Sequence, residues 1–121
     1  MKKKILIVDD EPGIVRLISM RLKAKGYEVF EACDGLEGVS VALKKIPDLI
    51  LMDIKMPNCG GVGAFERLIQ IETTKSIPVI FMTAFPTAEI KAQVLKMGAK
   101  DCMSKPFISK DFEQIIKMVI G

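Results

Sequence analysis

The 121-residue chain contains no histidine, no tryptophan and a single tyrosine. Without His, every Ser-His or Cys-His mechanism is excluded, and so is every His-dependent metal site. The three cysteines, Cys33, Cys59 and Cys102, are widely spaced and form no CxxC pair. An odd number of thiols with no signal peptide points to a reducing cytoplasm, not to a disulfide framework. Long apolar runs are missing too. The stretch after Lys2-Lys3-Lys4 is broken by Asp9-Asp10, so it is no secretory core, and no run approaches the ~20 residues of a membrane span. Neither sign of charge dominates: 18 Lys+Arg against 15 Asp+Glu leave +3, too little to argue for nucleic acid. The GxxxxGKS/T phosphate loop is absent. Gly60-Gly61-Val62-Gly63 fails as a dinucleotide loop, because Glu66 stands where the last glycine belongs, and it reads as a glycine-rich helix entry.

What is present describes a soluble globular domain: 50% hydrophobic residues, 27% charged, 9 Gly and 6 Pro. A chain of this length buries roughly two-thirds of its unfolded surface and needs no staple. The expectation is one domain over residues 1–121, with no internal repeat and no linker.

Strand and helix signals alternate along the chain. Ile5-Leu6-Ile7-Val8 and Leu49-Ile50-Leu51-Met52 are short apolar runs, read as strands buried on both faces. Tyr27 to Cys33, Pro78 to Met82 and the short Cys102-Met103 complete five strands. Helical spacing joins Ile14, Leu17, Ile18 and Leu22, then Leu36, Val39, Leu43 and Ile46, then Phe65, Leu68 and Ile69, with Ile71 a candidate extension. The fourth helix runs from Thr87 to Met97, and Phe112, Ile115, Ile116 and Val119 form the last. Five β-α units predict a three-layer α/β domain with a parallel sheet, and its size suggests the doubly wound order 2-1-3-4-5.

In such sheets ligands bind beyond the carboxyl ends of the strands. Asp9 and Asp10 follow the first strand, Asp53 the third, Thr83 ends the fourth, and Ser104-Lys105-Pro106 ends the fifth. Three carboxylates in one cleft need a cation, and oxygen-only ligands select a hard ion, Mg2+ before Zn2+. A carboxylate can also attack a phosphoryl group and form an aspartyl-phosphate. Lys105 as a point charge and Thr83 as a hydroxyl donor suit that transfer. Each residue also has a plainer reading. Asp9, Asp10 and Glu11 can cap the first helix, Asp53 can be a loop acid, and Thr83 and Lys105 can be ordinary strand and surface residues. Their convergence on one sheet edge favours the site.

The motifs Val8-Asp9-Asp10, Leu51-Met52-Asp53-Ile54-Lys55-Met56-Pro57 with Gly61, Met82-Thr83-Ala84 and Ser104-Lys105-Pro106-Phe107 stand in that order along the chain. Together, from Lys4 to about Val119, they resemble the receiver domain of two-component response regulators, as in the chemotaxis regulators. The resemblance implies a phosphorylation-activated switch and not an enzyme with a diffusible product. In it Asp53 accepts a phosphoryl group from the phosphohistidine of a histidine kinase or phosphotransfer protein. Asp10, Asp53 and the backbone carbonyl of Lys55 would hold Mg2+, with Asp9 alongside through water. Thr83 and Lys105 would contact the phosphoryl oxygens, and a cis Lys105–Pro106 peptide would aim the lysine. Phosphorylation would then shift the face made by the fourth helix, fifth strand and fifth helix. That face would control a downstream effector protein or a fused output domain. Homodimerisation on phosphorylation is an expected use of it. Neither membrane association nor nucleic-acid binding by this chain alone is expected, and the alternative setting is the N-terminal receiver of a longer transcriptional regulator.

Three positions depart from the family pattern. Cys102 stands where the family usually has a switch aromatic, and Phe85 and Lys55 stand at positions that, in the family, border the path of attacking water. A phosphatase of the haloacid dehalogenase type would need an acid where Lys55 stands and a cap domain besides. A flavodoxin-like carrier would need a Ser/Thr/Gly-rich first loop where Asp9-Asp10-Glu11 repels a phosphate.

Overall fold

The computed structural model describes residues 2–56, 59–105 and 110–121, and for residues 110 and 111 the backbone alone. The elements alternate: β1 (Lys4–Val8), α1 (Pro12–Ala24), β2 (Glu28–Ala32), α2 (Gly35–Lys45), β3 (Leu49–Asp53), α3 (Gly61–Leu68), β4 (Val79–Thr83), α4 (Ala88–Lys96), β5 (Asp101–Ser104) and α5 (Lys110–Ile120). All strand pairs are parallel and the sheet order is β2-β1-β3-β4-β5, as expected. Pro57 of the expected Met56-Pro57 motif, the Lys105–Pro106 peptide and Phe107 lie outside the described residues.

Apart from Lys4, Asp53 and Thr83 at their ends, the three central strands are apolar because both their faces are covered. Leu6, Val8, Ile50, Met52, Val79 and Phe81 point into a core closed by α2, α3 and α4. Ile5, Ile7, Leu49, Leu51, Ile80 and Met82 point into a second core closed by α1 and α5. Phe65 of α3 meets Phe81 edge to face, with ring centroids 5.4 Å apart. Helix ends follow their chemistry: Thr87 Oγ1 accepts the Ile90 amide at 3.1 Å to start α4, and Gly26 and Gly98 at positive φ close α1 and α4. No described helix is long and apolar enough to cross a membrane.

Helix α2 departs from its expected apolar stripe. Leu36, Leu43 and Ile46 are 43–46% exposed, and the buried face is Gly35, Gly38 and Ala42. Close packing is the reason: a Cβ on Gly38 would lie 2.9 Å from Val8 Cγ1 in the fully buried end of β1. Small residues let the helix axis approach the sheet; Val39 and Val41 pack partly buried against the core, and Leu36, Leu43 and Ile46 are left outside. Helix α3 also ends earlier than its spacing suggests, since Ile69 is its C-cap.

Gly38→Ala, normally a helix-favouring change, is expected to destabilise the fold by ~1–3 kcal/mol through overpacking against Val8. Leu43→Ala is expected to cost less than ~1 kcal/mol. Urea unfolding of the two variants checks the order.

Candidate functional site

Four strand ends supply the site, and their order in the sheet places them side by side. Asp9 follows β1, Asp53 ends β3, and Thr83 ends β4. β5 adds Lys105, whose amide donates to the Thr83 carbonyl at 2.8 Å. Asp9, Asp53 and Thr83 are buried, at 1%, 5% and 4% exposure, whereas Asp10 and Glu11 face solvent. The loop after β3 is held from below. The Gly61 amide donates to the Ile54 carbonyl at 2.9 Å, and a Cβ on Gly61 would collide with the Asp53 carbonyl oxygen. Glycine is required at this start of α3 so that the backbone can approach the acid.

The Lys105 ammonium sits inside the acidic group. Its Nζ lies 2.7 Å from Asp9 Oδ2, 3.0 Å from Glu11 Oε1 and 3.1 Å from Asp53 Oδ2. The lysine side chain is 6% exposed. Burial alone would lower its pKa, but the carboxylates of Asp9, Glu11 and Asp53 against it outweigh that and hold it raised. The ammonium is therefore a fixed positive charge at any working pH. Burial and then the charge of Asp9 push the Asp53 carboxyl up from 3.8 to about 6, against the pull of Lys105.

Oxygens of Asp9, Asp10, Glu11 and Asp53 come within 4.8 Å of one another. Asp9 Oδ2 is buried and lacks a hydrogen bond among the described residues, although the ammonium faces it. Four carboxylates against one ammonium leave an uncompensated negative charge in a purely oxygen donor set. These residues fit a hard divalent cation.

The plainer reading of the first acids is only half supported. Glu11 is the N-cap of α1 but makes no side-chain capping bond; Asp9 Oδ1 instead accepts the Glu11 amide at 2.9 Å. Thr83 is no ordinary strand residue either, since its Oγ1 accepts the Phe85 amide at 3.2 Å. Lys55 lies exposed in the loop two residues past Asp53, and Phe85 is 76% exposed. Cys102 is buried in the core beneath α4, beside Phe81 and Val94. Glu11 was legible only as a capping acid. Its contact with Lys105 joins positions 94 residues apart, and local sequence does not reveal it.

The response regulator receiver domain model matches residues 5–119. This chain belongs to the response regulator receiver family. The receiver is 39% identical over 116 residues to the DNA-binding dual master transcriptional regulator RpaA of Synechocystis sp., covering 96% of this chain and 47% of that protein. It is 38% identical over 118 residues to the phosphate regulon transcriptional regulatory protein PhoB of Pseudomonas aeruginosa, covering 98% of this chain and 52% of that one. The chain thus spans about half the length of the curated relatives it matches. Among solved structures, the chemotaxis protein CheY4 of Vibrio cholerae superposes with a TM-score of 0.92 at 29% identity, over 98% of this chain and 99% of that one. Receivers are phosphoacceptor switches of two-component systems, not enzymes in the ordinary sense, and they bind Mg2+ at an acidic pocket.

Between about pH 4 and pH 6 the folded state holds the Asp53 proton more tightly than the unfolded chain does, so stability falls as pH rises through that window. In metal-free buffer, Asp53→Asn is expected to be about 2–3 kcal/mol more stable than the parent near neutral pH. The difference should close as the pH falls towards 4. Urea midpoints across this range check both the sign and the window.

Proposed function

We propose that Asp53 is the phosphoacceptor of this receiver. The observation that carries the reading is a buried carboxylate at a strand end, 3.1 Å from a buried ammonium, within a group of acids that needs a cation. An Asp53 carboxylate oxygen attacks phosphorus in line. The P–N bond of a phosphohistidine breaks and its electron pair leaves with the imidazole, which keeps or gains a proton as it departs. With a small donor such as acetyl phosphate the P–O bond breaks and acetate leaves. Lys105 and the Thr83 hydroxyl then contact the new phosphoryl oxygens. Asp10, Asp53 and the Lys55 carbonyl would hold Mg2+, with Asp9 acting through water; the ion supplies charge neutralisation for the transferring group.

Signal output follows from Thr83. Its hydroxyl oxygen holds the Phe85 amide at 3.2 Å, so its movement towards a phosphoryl group pulls on the loop that enters α4. Cys102 carries no ring, and among the described residues the Thr83–Phe85 hydrogen bond couples Thr83 to the loop that enters α4. The switched surface would be the α4-β5-α5 face. It would act on a separate effector or a fused output domain, with homodimerisation as one use of it. The working unit is a single domain over residues 1–121. Its phosphodonor is a histidine kinase or phosphotransfer protein, and its place is the cytoplasm, where unpaired thiols persist. As in other receivers, its catalysis is confined to its own phosphorylation and slow dephosphorylation.

Intact-protein mass after incubation with acetyl phosphate and Mg2+ tests the acceptor. The expected result is one phosphoryl adduct on the parent, none on Asp53→Asn, and none when Mg2+ is chelated beforehand. An adduct on Asp53→Asn would move the acceptor elsewhere. Phe85 and Lys55, two residues after Thr83 and Asp53, are expected to slow hydrolysis by crowding the approach of water and competing for the charge. Decay over minutes or longer is expected, quickened by the double change Phe85→Ala, Lys55→Asn. A half-life of seconds in the parent would overturn that role.

A further inference from the structure

We propose that Glu11 is a releasable latch on Lys105, a positioning residue that must let go before the lysine can hold a phosphoryl group. The proposal rests on the reading of Asp53 and Lys105 given above. An ammonium has three N–H donors and no acceptor. In this structure three carboxylates crowd it at 2.7, 3.0 and 3.1 Å, and among the described residues the hydrogen bond it donates goes to Glu11. Phosphorylation takes the charge from the attacking Asp53 oxygen, but the hydrogen bond to Glu11 still holds the ammonium and must give way before its tip can turn to a phosphoryl oxygen.

The three partners are not equally free to leave. The Asp9 side chain is fully buried and that of Asp53 is 7% exposed. Asp9 is further held by the Glu11 amide on its other oxygen, at 2.9 Å. The Glu11 side chain is 57% exposed on a flexible stem and can be replaced by water. It is also misplaced for its local role. An N-cap carboxylate ordinarily takes an amide of the first helical turn, yet Glu11 makes no side-chain capping bond and reaches across to β5 instead. Release of Glu11 frees one N–H donor of Lys105 and returns a carboxylate to solvent at the start of α1.

The latch predicts a rate effect that works through Lys105, and a bare charge effect does not. Glu11→Gln removes the charge; Glu11→Asp keeps it but shortens the reach. Both are expected to speed phosphorylation by acetyl phosphate and Mg2+ about two- to five-fold, the ratio equivalent to the ~0.5–1 kcal/mol of a partly exposed ion pair. Neither is expected to matter once Lys105→Met is present. If repulsion of the anionic donor were the whole effect, Glu11→Asp would behave as the parent and Glu11→Gln would still accelerate in the Lys105→Met background; either result overturns the latch.

The metal-free protein supplies a second reading. With 15N-labelled lysine, Lys105 should give an ammonium signal protected from water exchange and missing in Lys105→Met. Its exchange should quicken in both Glu11 variants. A signal indifferent to Glu11, or no protected signal at all, overturns the latch even if rates change. If the parent takes up no phosphoryl group, the Asp53 reading fails while the ammonium spectrum still decides the latch.

Discussion

A buried positive charge held by three negative ones is the constraint around which this receiver is organised. Opposite charges at about 3 Å attract strongly wherever water is thin, and the same thinness makes any unpaired member costly. Lys105, Asp9 and Asp53 are therefore interdependent: each is tolerable in its buried place because the others are there. The set still carries an excess of negative charge. It is stable enough to persist and unbalanced enough to accept a cation, and that combination suits a site that must change state.

The scaffold makes the set possible by bringing together residues far apart in sequence. Parallel strands end on one edge, so β1, β3, β4 and β5 deliver an acid, an acid, a hydroxyl and an ammonium to adjacent points. Two separate cores clamp the sheet from either side, and the central strands have no freedom to slide. Glycines do the fine positioning. Gly61 lets α3 begin against the Asp53 backbone, and Gly38 lets α2 lie close over the end of β1.

Much of this was legible in the sequence. The β-branched apolar runs marked the strands, because a strand buried on both faces has nowhere to put a polar residue. Asp9, Asp53, Thr83 and Lys105 were visible because each sits where such a run stops. The outer face of α2 was not legible. Spacing says which residues share a helix face, but not how close the helix comes to its sheet, and at short range Gly and Ala displace Leu from the interior. The Glu11–Lys105 contact was invisible for a related reason. Glu11 reads locally as a helix-capping acid, and its partner is known only once β5 has been laid beside β4.

The backbone bond from the Lys105 amide to the Thr83 carbonyl has a mechanical meaning. It pins the root of the lysine to the neighbouring strand, whose own register runs unbroken from Ile80 to Thr83 against β5. The main chain at that point is a fulcrum, and the four-carbon stem is a lever arm swinging from it. Motion at the charged tip can be large while the sheet beneath stays still. Thr83 shares the fulcrum but passes its displacement on to the Phe85 amide. Two neighbours on one hinge thus divide the work: one answers to charge within the cleft, the other carries the response out of it.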